Sequence, residues 1–439
     1  MSTTFRPYHP TQPFLLPPDP REWLAEGHLA YFVSDTVDAL NLQVFYAPYE
    51  GDGRRKQPYE PAMMLKVLIY SYATGVFSSR GIARKLYEDV AFRVLSAGNF
   101  PAHRTISEFR KRHLGDFEWI FVQVLRIAQE VGMVKLGTVA IDGSKVKANA
   151  SKHKAMSYGR MKQEEQRLLK EIRELTRRAR KMDEREDRKF GRDRTGEELP
   201  EEITRRRDRL ATIQAAKARL ETRQQEADRE RGRPEGDDPG PRGVGGRFKR
   251  GFGIPAEKAQ ENFTDPESRI MKSAKGFEQC YNAQIAVDGK AQIVVGAGVT
   301  QSASDSGQLR PMLDQVRRNT KKTPRKALAD AGYASEDNLR SLERRGIDAY
   351  VAMGRGEKAL EKGSSSKYRR QMQRKMKTKR GKDQYRKRKY MAEPPFGWIK
   401  SVLGFRSFSL RGLWKVSGEW NLVCLAINLK RMSGQMAWE

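Results

Sequence analysis

From Glu60 to Gly75 the chain reads EPAMMLKVLIYSYATG, apolar nearly all the way round a helical turn. That pattern predicts a buried helix, opened by Pro61 and stopped by Gly75. SSRGIARKLYED (78–89) predicts a second helix with a serine cap at its start. RTISEFRKRH (104–113) predicts a short basic one carrying Arg104, Arg110, Lys111 and Arg112, and FEWIFVQVLRIAQEVG (117–132) a further apolar one. Residues 23–135 therefore read as a helical domain. Two short helices joined by a turn, the second basic, suit a DNA-reading helix-turn-helix, and equally a solvated basic helix on an all-α domain. Ahead of them, residues 1–22 are Pro-rich and predicted to be extended.

The period then changes. GTVAID (137–142) predicts a strand ending at Asp142. Residues 155–235 are dense in Glu, Arg, Lys and Leu, with Ile203, Leu210, Ile213, Ala216 and Leu220 at helical spacing. This is the pattern of long helices with a narrow apolar seam, a charged, coiled-coil-like helical insertion broken at GRDRTGEELP. A Gly/Pro/charge linker covers 236–260. From 261 the alternation returns. It predicts a hairpin (Tyr281–Val287, a turn at Asp288–Gly289, then Gln292–Val299), a helix over 306–320 and a strand within 325–335 with Asp330 near its end. SEDNLRSLERRG predicts a helix and 349–353 a short strand. The basic stretch 355–389 reads as a mobile loop. Glu393–Pro394–Pro395 opens a helix to about Leu403, and SGEWNLVCLAINLKRM closes as an apolar helix. Strand, insertion, hairpin, then helices alternating with strands make a mixed α/β sheet, part antiparallel and part parallel.

The chain has 439 residues and a formal net charge of +30. A charge of that size suits a polyanion. Nucleic acid is the first candidate, since basic groups on phosphates release counterions, and an anionic membrane surface is the second. No apolar run approaches ~18 residues, so no membrane-spanning helix is expected. The first residues lack the basic start and apolar run of a secretory signal. Cys280 and Cys424 lie far apart in apolar contexts and read as buried thiols of a reducing compartment. The five histidines form no cluster, and no phosphate-binding GxxxxGK[ST] loop occurs.

The candidate chemistry lies in carboxylates at strand ends. Asp142, in AIDGSKVKANAS, and Asp330, in ALADAGYAS, each end an apolar strand before a small residue. In an open α/β sheet such groups can converge in one crevice. A lone strand-end Asp is also a common cap or turn residue. Glu393 starts a helix beside the basic region. Converging carboxylates suit Mg²⁺, which takes hard oxygen ligands, and Lys145 and Lys147 would then face phosphate. Glu419 competes as the third acid but reads as a first-turn residue favoured by the helix dipole. Asp288 reads as a hairpin turn, and Asp305 as a residue near a helix N-cap that can also support a metal site.

These segments, with NFTDPESRIMKS, YNAQIAVD and the C-terminal YRKRKYMAEPPFGWIKSVLGFRSFSLRGLWKVSGEWNLVCLAINLKRM, resemble bacterial insertion-sequence transposases of the DDE class. The helical block from about Tyr59 to His113 resembles the domain that precedes the catalytic core in such enzymes. The resemblance implies a ribonuclease H-like core with catalytic, metal-holding acids at Asp142, Asp330 and Glu393, and two Mg²⁺ (or Mn²⁺) ions per active site. The related signature is Tyr, two residues, Arg, three residues, Glu, six residues, Lys. Here Tyr385 keeps register with Arg388 and Glu393 with Lys400, but four residues separate Arg388 from Glu393. Glu393 and Lys400 are seven apart and share a helical face, so Lys400 either binds phosphate beside the metal or is simply solvated. Arg406 and Arg411 join the expected DNA contacts. The resemblance implies metal-dependent cleavage at element ends and strand transfer into target DNA. Its partners would be double-stranded DNA, as terminal inverted repeats and target, and further copies of the chain in a homodimer or larger synaptic complex. The expected place is the bacterial cytoplasm, on the nucleoid. The competing expectations are an inactive DNA-binding or architectural protein derived from a transposase, and a nuclease of this fold without strand transfer.

Overall fold

The computed structural model describes residues 19–49, 57–190, 201–236, 250–273, 276–354 and 366–436. The strands are β1 (Thr138–Lys147), β2 (Ala155–Ser157), β3 (Gln260–Asn262), β4 (Arg269–Ser273), β5 (Gly276–Asp288), β6 (Val294–Thr300), β7 (Lys326–Ala329) and β8 (Asp348–Val351). β1 lies between β5, antiparallel, and β7, parallel; β8 extends the parallel side. On the other edge of β5, β4 pairs with its first residues and β6 with its last. The mixed sheet predicted from the element order is thus present. β1 runs five residues past the predicted end at Asp142, because β5 continues to pair with it as far as Lys147.

Alternation along β1 decides the layers. Val139 and Ile141 join the main core, whereas Ala140 joins a second apolar cluster with Leu328, Tyr350, Met391 and Ala392. Successive strand side chains point to opposite faces, so the sheet is covered on both. The main core runs without a break from the sheet into the N-terminal helices. Its link is the C-terminal helix Leu413–Met436, which packs on β6 and on the helices Pro61–Ala73 and Asp116–Glu130. Trp420, Cys424 and Leu425 on it are fully buried.

The helices Pro61–Ala73, Ser79–Glu88, His103–Arg112 and Asp116–Glu130 lie where the pattern predicts. Ser78 caps the second by accepting from the Gly81 N–H at 3.0 Å. One more helix, Val90–Ser96, intervenes before His103. The insertion is a pair of packed helices, Tyr158–Phe190 and Glu201–Glu230, with Met161, Leu168, Ile213 and Ala216 in its own core. Within the predicted extended start, residues 1–18 lie outside the described residues and Pro20–Trp23 forms one tight helical turn. Residues 237–249 of the linker are also outside them. The basic stretch requires a correction: its part 355–365 is not described, but Lys367–Lys377 and Lys379–Met391 are helices rather than a mobile loop. They are held by few apolar groups. Met376 and Met391 pack on Tyr350 and Leu328, the sheet face opposite the main core.

Candidate active site

Register brings the two aspartates together. β1 and β7 run parallel with Ile141 beside Ala329, so the next residues are Asp142 and Asp330. Neighbouring strands lie about 4.8 Å apart, which puts both carboxylates at the mouth left where β7 ends. Asp142 follows Ala140 on the face covered by the basic helices, and there it meets Arg388 from Lys379–Met391. Arg388 Nη2 is 2.9 Å from Asp142 Oδ1 and 3.8 Å from Asp330 Oδ2. One guanidinium thus serves two carboxylates. Its Nε is buried and has no hydrogen-bond partner. Burial raises the Asp142 pKa above its ordinary value, Arg388 opposes that, and the like charge of Asp330 adds to it. Tyr385 stands beside the group, its phenol raised by burial and by both aspartates against the pull of Arg388.

The other face of β1 carries a polar network. Lys145 Nζ lies 3.2 Å from Asp305 Oδ1, which also accepts from Asn282 Nδ2 at 2.6 Å and Gln284 Nε2 at 2.8 Å. Tyr333 donates to Gln284 Oε1. Lys400 donates to Ser144 Oγ at 2.6 Å and to the Lys145 carbonyl at 2.9 Å, and burial lowers its pKa. The Trp398–Val402 segment that carries Lys400 is a wide helical turn continuing the helix Glu393–Gly397. Glu393, first residue of that helix, is exposed. Among the described residues, no three His, Cys, Asp or Glu side chains stand together closely enough to hold a metal ion. The structure therefore joins Asp142, Asp330, Tyr385 and Arg388 directly, and Lys145 and Lys400 through β1.

The remaining predicted contacts divide. Lys147 is exposed and pairs with Glu278 at 3.2 Å. It opens a groove of about 1170 Å³ beyond the end of β1, lined also by Lys152, Lys154 and Arg411. Arg411 Nε donates to the Asn149 carbonyl at 2.9 Å, and exposed Arg406 to that of Lys400 at 3.0 Å. On the helical part, exposed Arg104 and Lys111 border a cleft of about 520 Å³ shared with Arg80. Arg112 is exposed and stacks 5.3 Å over Tyr49. Arg110 is the exception. It is 4% exposed, donates to Tyr72 Oη at 3.0 Å and to the Phe77 carbonyl at 2.7 Å, and so belongs to the core rather than to a DNA face.

Among the rival acids, Glu419 is buried in the second turn of its helix, not the first, because that helix begins at Leu413. It accepts from the Ser409 and Leu410 N–H groups and the Tyr72 hydroxyl, tying the loop before the helix to the N-terminal core. Asp288 accepts from the Leu136 and Lys290 N–H groups, as a turn residue does. Cys280 and Cys424 are free and buried. Arg388 was expected as a DNA contact and Asp305 near a helix N-cap or in support of a metal site; the pairing of Arg388 with both aspartates was not foreseen. Only the unusual run of basic residues before Glu393 hinted at it.

The Asp142–Asp330 pair fits a hard divalent cation. Both donors are carboxylates, and they already converge on one positive group. Among the described residues no helix is long and apolar enough to cross a membrane. Comparison with known families gives two matches. Residues 251–429 match the model described as a transposase DDE domain, and residues 18–112 the one described as a transposase domain. Asp330 and Glu393 fall inside the first match; Asp142 and the helical insertion fall between the two. No curated protein and no solved structure matches the chain.

Proposed function

Starting from an insertion-sequence transposase of the DDE class, which the two family matches indicate, we propose that this chain cuts DNA at the ends of its element and joins the freed 3′-hydroxyl to target DNA. The carrying observation is a shared position: Asp142 on β1 and Asp330 just past the end of β7 follow the paired Ile141 and Ala329 and converge on the Arg388 guanidinium. Asp142, Asp330 and Glu393 would hold Mg²⁺ or Mn²⁺, two ions in all, within a ribonuclease H-like core. Such ions supply activation of the attacking oxygen and stabilisation of the leaving one in an in-line phosphoryl transfer. The chain's own residues do the rest. Lys400 holds the Ser144 hydroxyl and the Lys145 carbonyl of β1, bracing the strand that carries Asp142. Lys147, Lys152, Lys154 and Arg411 line the path of the DNA backbone away from the acids. Arg104 and Lys111 belong to a second surface, for the terminal inverted repeats, and the helical insertion dimerises the chain, clamps DNA, or both.

The test is cleavage of a labelled duplex carrying the element's own ends, with and without Mg²⁺, by the native chain and by Asp142→Ala. Metal-dependent nicking and joined product, lost in the variant while binding persists, support the assignment. Binding without cleavage in Mg²⁺, or with Mn²⁺ in its place, would favour an inactive DNA-binding protein, a reading motivated by the absence of a closed three-acid group among the described residues.

A further inference from the structure

Asp305 is a third carboxylate at this site, placed there by the fold and not by any strand-end pattern. The loop after β6 returns it to the far face of β1, where Oδ1 takes three donors, from Asn282, Gln284 and Lys145. Oδ2 turns toward the loop that follows Asp330. A Cβ added at Gly332 would stand 3.5 Å from Asp305 Oδ2 and 3.1 Å from Asp330 Oδ1, so both carboxylates border that one glycine. A Cβ at Gly143, next to Asp142, would lie 2.7 Å from Asp305 Oδ1. Gly143, next to Asp142, and Gly332, two residues after Asp330, thus lack side chains where Asp305 comes round the end of β7. The buried Tyr333 phenol, raised first by burial, is raised further by Asp305, Asp142 and Asp330 against the pull of Arg388.

We propose that Asp305 is a positioning residue for the divalent cation, strengthening its binding through Oδ2 by accepting hydrogen bonds from the cation's waters. Mg²⁺ retains several waters, and carboxylates that hold such outer partners change metal affinity by about 10–100-fold when removed. This rests on the transposase reading above and adds to it a residue outside the Asp142, Asp330, Glu393 set.

The measurement is Mn²⁺ affinity of the full chain without DNA, by electron paramagnetic resonance of free Mn²⁺, for the native protein, Asp305→Asn, Lys145→Gln, Gly332→Ala and Asp142→Asn, with circular dichroism confirming folding. Asp305→Asn is expected to weaken Mn²⁺ binding about 10–100-fold. Gly332→Ala, which fills the space between the two carboxylates, is expected to weaken it too. It decides the matter if Asp305→Asn does not fold. Lys145→Gln is expected to bind Mn²⁺ as well as or better than the native chain. Native affinity in Asp305→Asn, or in Gly332→Ala should the former not fold, overturns the proposal. So does a Lys145→Gln variant that reproduces the loss, because Asp305 would then act only by holding Lys145. Native affinity in Asp142→Asn is a different failure: it removes the cation from this site and the transposase assignment of Asp142 with it.

Discussion

Replacing Arg388 by Gln tests the electrostatics of the site directly. The guanidinium and Asp142 are nearly enclosed, 13% and 14% exposed, while Asp330 is 39% exposed. Removing one partner of a buried pair costs ~3–5 kcal/mol. Solvent screens Asp330, and Asp142 can take up a proton, so about 2 kcal/mol is the expected loss here. Urea unfolding in EDTA reads it as a lower midpoint at unchanged slope. Divalent cation should then restore the variant more than it stabilises the native chain, because no guanidinium has to leave. A 2 kcal/mol difference corresponds to roughly 25-fold tighter binding. The pH dependence follows from the direction of the Asp142 shift. Its folded pKa lies above the ordinary 3.8, so this group favours the fold at low pH and that contribution is lost as pH rises through the folded value. Without Arg388 the folded value rises further, and the loss in EDTA should extend to higher pH. Equal stability of native and variant chains in EDTA, with equal Mg²⁺ effects, would refute the argument that Arg388 holds the place of a cation.

Arg110→Met should cost about 1–3 kcal/mol in urea, since it leaves the Phe77 carbonyl without this donor and takes one bond from the Tyr72 hydroxyl, which still donates to Glu419, yet leave DNA affinity of the folded protein unchanged; weakened DNA binding at native stability would return Arg110 to the DNA face. Glu419→Gln should lower the urea midpoint by the equivalent of about 1–3 kcal/mol, because one amide cannot replace both carboxylate oxygens that serve Ser409, Leu410 and Tyr72; a strand-cleavage defect without a stability loss would make it catalytic instead. Combined Ala substitution of Lys147, Lys152 and Arg411 should reduce the slope of log affinity against log salt by up to about 2.7, at ~0.9 per phosphate contact, read by fluorescence anisotropy. An unchanged slope would take DNA out of that groove.

What the sequence revealed of this site was what local rules control. Asp142 and Asp330 were legible because each closes an apolar strand, and strand ends are set by neighbours in the chain. The pairing of Arg388 with them was not, because it depends on packing far away in sequence. Read alone, 367–391 has too few apolar residues to predict order, yet Tyr368 and Met372 pack on the main core and Met376 and Met391 on Leu328 and Tyr350. Arg110 misled for the same reason in reverse. It shares a helix turn with exposed Lys111 and Arg112, and only the tertiary approach of Tyr72 and Phe77 separates it from them. Asp305 sits one loop from the helix it was expected to precede, and the side chains that claim it come from β1 and β5.

The insertion explains how the sheet tolerates so long a detour between β1 and β5. The chain leaves after β1 and returns before β4, and the two ends are fastened to each other before the helices begin. β2 pairs with β3, Ala155 opposite Asn262; Tyr158 N–H donates to the Ala259 carbonyl at 2.7 Å; Asn262 Nδ2 donates to the Ser151 carbonyl at 2.7 Å. Glu261, 1% exposed, is paired with Arg219 and Arg223 from the returning helix. The entropy of closing the detour is therefore met within the insertion, by its own clasp and its own small core, and β1 and β5 pair as though consecutive. The clasp has a second consequence. Ser151, Lys152 and Lys154, at its root, also line the basic groove that starts at Lys147. The helical pair is thus anchored where the proposed DNA path leaves the acids.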